Sequence, residues 1–312
     1  MLRHLKLSSG GETINDNTVN SYLTMELSIG TPPQSFTFGV TNLASDFFVA
    51  GVGCSTCAGR ERTTKLYDKS KSSTYRYEGP YSIFAVPDAC DGITGQDNVV
   101  TFSFNGFDGA IGFGFFDNSM SGLVPPLQSL LIHPLVEKTN QGEITFGAVD
   151  TVHCASGPID YHKSTSDITW QLNVTHFSIG NASIAVRGAA EIPFELDALV
   201  IPANLFYVVA HQTGASIEGP GVLHVPCDGI FPDITITIDA KQYVVPAAAY
   251  FKGADVDYCI QEDVDYCTLR VEIAESFEGE VTWSLGGPFL ESHCTVFNYA
   301  PEQIGFLPAI VH

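Results

Sequence analysis

Positive charge is scarce in this chain. Lys plus Arg total 14 against 35 Asp plus Glu, a net charge of −21 over 312 residues. That balance excludes nucleic acid and anionic membrane surfaces as expected partners, because both need a basic face. Long apolar runs are also missing, so no bilayer-crossing helix and no membrane insertion is expected. Met1–Gly11 lacks the apolar core of a signal peptide. Helical periodicity is rare: Pro125–Leu131 and Ala203–Ala210 are the best candidates, each short and apolar. No internal repeat and no low-complexity linker stands out. Ser8-Ser9-Gly10-Gly11 reads as a flexible leader, not a phosphate-binding loop. The histidines are scattered, with His211 and His224 read as structural or surface groups, and no Cys or His set has zinc spacing. No metal and no cofactor is expected.

What the chain does have is apolar content without charge: hydrophobic residues make up 45% and charged residues 16%, which excludes disorder. A chain of this length buries a large core in one or two domains. Short β-type segments separated by Gly, Pro, Asn and Asp recur throughout. Val99–Phe104, Ile144–Phe146, Trp170–Ile179, Ile234–Ile238, Tyr243–Val245 and Thr295–Phe297 are examples, and the spacing predicts an all-β protein. Eight cysteines suggest an oxidising compartment. Asn173-Val174-Thr175 and Asn181-Ala182-Ser183 fit the glycosylation acceptor pattern. Together these point to secretion or to the lumen of the endomembrane system, with the signal sequence not present in this chain.

The organising stretch is Tyr22–Val49. Leu23, Met25, Leu27 and Ile29 alternate with mostly polar partners, Gly30-Thr31-Pro32-Pro33-Gln34 breaks the run, and Phe36, Phe38 and Val40 resume it. Two strands around a tight turn are predicted.

This stretch resembles the start of a pepsin-like aspartic protease, and the resemblance runs on in order. Lys71-Ser72-Ser73-Thr74-Tyr75 is similar to that family's Ser-Ser-Thr loop, and Gly92–Val99 to the strand leaving its active-site flap. Phe107-Asp108-Gly109-Ala110-Ile111-Gly112-Phe113-Gly114 resembles Asp-Gly-Ile-Leu-Gly-Leu, and Val124-Pro125-Pro126-Leu127 the helix start. Ile144–Asp150 closes the first lobe, and Pro232-Asp233-Ile234 falls in the second. Trp283–Leu290 resembles Trp-Ile-Leu-Gly-Asp-Pro-Phe-Ile, with Gly287 where Asp is usual, and Gly305-Phe306-Leu307-Pro308 fits the ending. Cys154 after Ala148-Val149-Asp150, and Cys294 after Phe289-Leu290, resemble nematode members. The implied fold is all-β and bilobal, a pepsin-like architecture and an expected monomer. Residues 1–20 are a leader or propeptide remnant, 21–152 the N-terminal lobe and 153–312 the C-terminal lobe. The N-terminal lobe is expected to be shortened. Almost nothing separates Phe104 from Phe107, and only Pro134–Gln141 remains for the strand before Ile144. Either the lobe is trimmed or the gene model has skipped exons.

The family's chemistry needs two Asp carboxylates on facing loops that share a proton and activate one water. By resemblance, the first Asp of Asp-Thr-Gly-Ser falls at Thr41, followed by Asn42, Leu43 and Ala44. The second falls at Pro193, nine residues before Pro202, followed by Phe194 and Glu195. The flap tyrosine becomes Ala85. Neither Thr41 nor Pro193 can act as a base. The carboxylates that could substitute are Asp46 and Asp197, five and four residues beyond the lost positions, and Glu195, two beyond. At about 3.3 Å per strand residue Asp46 lies more than about 10 Å from the lost position, whereas catalysis tolerates about 1 Å. The expectation is therefore a catalytically inactive homologue, binding a peptide, a protein or an apolar ligand through its cleft or surface. The alternative is an active aspartic endopeptidase with shifted carboxylates. Phe194, Leu43 and Ala44 are expected to pack the cleft floor shut. The resemblance also implies pairs Cys154–Cys294 and Cys227–Cys267. Cys54–Cys57 is the natural third, and Cys90 and Cys259 either pair or remain free thiols.

Overall fold

A computed structural model of the chain describes residues 12–15, 24–52, 65–75, 108–115, 132–137, 141–146, 149–193, 196–219, 221–252, 266–274, 276–277, 280–281, 283–299 and 301–310. The calls for Cys54–Cys57, Cys90, Cys259, Ala85, Phe194, Glu195, the Phe104–Phe107 shortening and the Pro125–Leu131 helix lie outside these residues.

The opening hairpin forms because its residues alternate. Thr24–Ile29 pairs antiparallel with Gln34–Thr41, from Thr24↔Gly39 to Ile29↔Gln34. Phe36, Phe38 and Val40 bury one face of the second strand. Gly30 carries the turn at φ +88°, a left-handed conformation that a side chain resists. The Ser72–Thr74 loop then docks on this turn. Ser73 N donates to Thr31 O at 2.8 Å, and Thr31 N donates to Ser72 Oγ at 3.2 Å. Gly109–Gly112 adds a strand parallel to Gln34–Thr41, and Phe47–Val49 pairs antiparallel with it, completing a four-stranded sheet.

A six-stranded sheet joins the two halves of the chain. Its order is Glu12–Asn15, Gln141–Phe146, Ile132–Glu137, His293–Asn298, Gln303–Pro308 and Asp160–Lys163. One expectation changes here. The Pro134–Gln141 region is not the remnant of a strand, since Ile132–Glu137 pairs over its whole length with Gln141–Phe146. Pro134 lies within this strand. It lacks an N–H, and pairing to the far neighbour is confined to Phe297↔Ile132. Glu12–Asn15, within the expected leader or propeptide remnant, forms the edge strand, running from Glu12↔Ile144 to Asn15↔Gln141.

The second half is built on a seven-stranded sheet, ordered Lys241–Val245, Ile234–Ile238, Gln171–Ile179, Ala182–Glu191, Trp283–Leu285, Leu199–Ile201 and Val271–Ile273. In Gln171–Ile179 the buried phase changes from Leu172 and Val174 to Phe177 and Ile179. An extra residue causes this, because the partner register jumps from Thr237↔His176 to Ile238↔Val174. The helix Ala203–Thr213 buries Leu205, Phe206, Val209 and Ala210 against the sheet and stops at left-handed Gly214. Disulfides join Cys154 to Cys294, 140 residues apart, and Cys227 to Cys267, 40 apart. In the chain-entropy account the longer closure stabilises by about 4–5 kcal/mol. The architecture is mostly strand with few helices, the all-β bilobal pepsin-like fold.

Aromatic side chains fill the seam between the halves. Trp170 Nε1 and Tyr299 Oη both donate to the Phe113 carbonyl, at 3.0 and 2.6 Å. Phe115 packs on Trp170 at a ring separation of 4.1 Å. Because these donors are satisfied, the rings stay fully buried without a polar penalty.

Candidate functional site

Two loops of the same construction face each other across that seam. In the first, Gln34–Thr41 runs parallel to Gly109–Gly112, with Thr41 opposite Gly112. The chain then loops over and returns antiparallel, with Phe47 opposite Ile111. In the second, Ala182–Glu191 runs parallel to Trp283–Leu285, with Glu191 opposite Ser284. Continued by two residues, that register sets Pro193 against Gly286. The chain returns antiparallel, with Leu199 opposite Leu285. The loops Thr41–Phe47 and Pro193–Leu199 are equal in length and leave their strands at equivalent points.

Each loop presses on a glycine. A Cβ on Gly112 would lie 2.5 Å from Ala44 O, and one on Gly286 would meet Leu196 O and sit 2.6 Å from Ala198 O. Only glycine permits that approach. Matching hydrogen bonds fix the contact: Gly114 N to Ala44 O at 2.7 Å, and Gly287 N to Leu196 O at 2.7 Å.

The loops are tied directly to one another. Asn42 is 1% exposed, and its Nδ2 donates to Ile192 O at 2.5 Å. The residue after Thr41 therefore grips the residue before Pro193. Thr41 is buried, and its Oγ1 accepts from Leu43 N at 3.1 Å. Neither Thr41 nor Pro193 carries a group that ionises at ordinary pH.

The structure places two of the nearby acidic residues, Asp46 and Asp197. Asp46 is 5% exposed, and its backbone carbonyl accepts from Gly112 N at 2.9 Å. Asp197 forms an ion pair with Arg270 through Oδ1, and Arg270 Nε donates to Asp197 O at 2.9 Å. The same guanidinium donates to Ala249 O at 2.9 Å and pairs with Glu291 at 2.7 Å. Gly287 lies under this cluster. A Cβ there would run into Arg270 Nη2 and come within 3.0 Å of Asp197 Oδ1. The Asp197–Arg270 pair thus fills the space that a side chain at 287 would need. Arg270 was missed in the sequence, although a cation between Leu269 and Val271 is the signal of a buried ion pair.

One expectation for the floor does not hold. Leu43 is 38% exposed and Ala44 half-buried, so neither seals the cleft. Asn42 turns inward, Leu43 N bonds to Thr41 Oγ1, and the Leu43 side chain is left facing outward. Of the acceptor asparagines, Asn173 is exposed on its strand, and Asn181 is exposed in the turn joining Gln171–Ile179 to Ala182–Glu191. Among the described residues no group of His, Cys, Asp and Glu has the arrangement of a metal site. No helix among them is long and apolar enough to cross a membrane.

Comparison with known proteins agrees with this architecture. The eukaryotic aspartyl protease family model matches residues 21–104 and 94–309. The chain belongs to that family. It is 27% identical to mouse gastricsin, over 91% of this chain and 80% of gastricsin. It is 27% identical to dog pepsin B, over 93% of this chain and 82% of the relative. It is 26% identical to aspartic protease 1 of Caenorhabditis elegans, over 99% of this chain and 87% of that protein.

Proposed function

We propose that this chain is a catalytically inactive member of the family that works by binding. One observation carries the reading. The two equivalent loop positions, Thr41 and Pro193, offer no carboxylate to take a proton from water. Asp197 is held by Arg270, and Asp46 lies five residues beyond Thr41, farther than catalysis tolerates. The partner is a peptide, a protein or an apolar ligand held at the cleft or on the surface, and exposed Leu43 offers it an apolar contact. The competing reading, an endopeptidase with shifted carboxylates, requires Asp46, Asp197 or Glu195 to reach the seam. Acid-dependent hydrolysis of denatured protein separates the two, with none expected from this chain.

The setting is the secretory pathway, as a secreted or lumenal glycoprotein. Two disulfides and the exposed acceptors Asn173 and Asn181 support it. Material secreted from eukaryotic cells is expected to lose mass on removal of N-linked glycans. An unchanged mass would remove the glycan assignment.

A further inference from the structure

His293 sits in an aromatic cage at a structural junction. It opens the strand His293–Asn298, directly after the short helix Gly287–Leu290 and beside Cys294 of the long-range disulfide. Its ring stacks on Phe289 at 4.6 Å and meets Tyr243 and Phe306 edge-on, at 5.4 and 6.4 Å. It is 8% exposed, and Nδ1 lies 3.1 Å from the Phe289 carbonyl, to which it donates. Among the described residues, charged and titratable groups reach the cage through Tyr243 and through Phe306, on which His162 packs at 5.9 Å. His162 Nε2 is 2.6 Å from Tyr243 Oη, and its Nδ1 is 3.0 Å from Asp239. Asp160 pairs with Lys241 at 2.5 Å. Among the described residues none of these carboxylates bonds to His293 itself.

We propose that His293 is an acid-sensitive latch. Its neutral ring holds the helix Gly287–Leu290 against the sheet that joins the lobes, and protonation opens this junction. The reason is solvation: an imidazolium closed in by Phe289, Tyr243 and Phe306 has lost water and gained no carboxylate. Stacking of a cation on Phe289 offsets only part of that loss. Burial accordingly lowers the His293 pKa from 6.5 to about 4, while the hydrogen bond to Phe289 pulls the other way. The sign follows. Above pH 6.5 both folded and unfolded chains carry neutral His293, so its contribution is complete. Between 6.5 and about 4 the unfolded chain takes up the proton first, and stability falls. The helix that loosens is the one whose Gly286–Gly287 end supports the Pro193 loop.

Thermal and urea unfolding of the whole chain at pH 7 and pH 4 tests this, with His293→Phe and His293→Gln alongside. From pH 7 to pH 4 the folded-to-unfolded ratio of the parent should fall on the order of a hundredfold more than that of either variant. Equal falls in parent and variants would overturn the latch. If neither variant folds, an NMR titration of labelled histidine in the parent decides. The latch requires His293 to stay neutral well below pH 6, and ordinary titration near 6.5 in the folded chain overturns it.

Discussion

Asn42 shows how one side chain alters what a loop can do. Buried and bonded to Ile192 O, it holds the two loops together through a neutral amide. Replacing it with Ala leaves the Ile192 carbonyl, itself buried, without that donor. The expected cost is about 1–3 kcal/mol, the range for an unsatisfied buried acceptor, read from urea unfolding. A change below about 0.5 kcal/mol, the scale of an ordinary surface substitution, would mean that the seam is held by other contacts. Gly287 makes a complementary point. A family Asp is missing there, and Asp197 with Arg270 occupies the vacated space. In the sequence Gly287 and Asp197 stand apart and Arg270 goes unremarked, whereas the structure brings the three together.

At the scale of elements, much was legible because it depends on local pattern. The hairpin Thr24–Thr41 followed from alternation and from the Gly30 turn, and the helix at Ala203 from its apolar run. Three features were not legible, each for a physical reason. In the sequence the strand Ile132–Glu137 reads two residues late and reduced, because Pro134 interrupts its pattern and nothing local marks its start. The bulge near Thr175 shifts the buried phase, which a strict period of two cannot reveal. The Asn42–Ile192 and Arg270–Asp197 bonds span 150 and 73 residues, so only the fold brings them together. These cross-links also set the outcome of a simple reversion. Thr41→Asp with Pro193→Asp should give no measurable turnover, because Asn42, Leu43 and Arg270 still set the two loops. Turnover from that double variant, measured on a denatured protein substrate in acid, would show the loops to be tolerant.

For the whole molecule, the family assignment and the proposed loss of chemistry concern different parts of the chain. Family membership rests on sheets, glycines and aromatic seams spread over most of the residues. Catalysis in such a fold rests on two carboxylates held to about an ångström. A chain can therefore keep the first while losing the second, with binding as the remaining use of the cleft. The buried His293 fits that separation, since a fold weakened by acid is poorly suited to catalysis in acid. The most direct measurement is hydrolysis of denatured protein by the purified chain from pH 2 to pH 7, with Asp46→Asn and Asp197→Asn variants in parallel. The account expects no cleavage above the level of either variant at any pH. Acid-dependent cleavage by the parent that is abolished by Asp46→Asn or Asp197→Asn would contradict it.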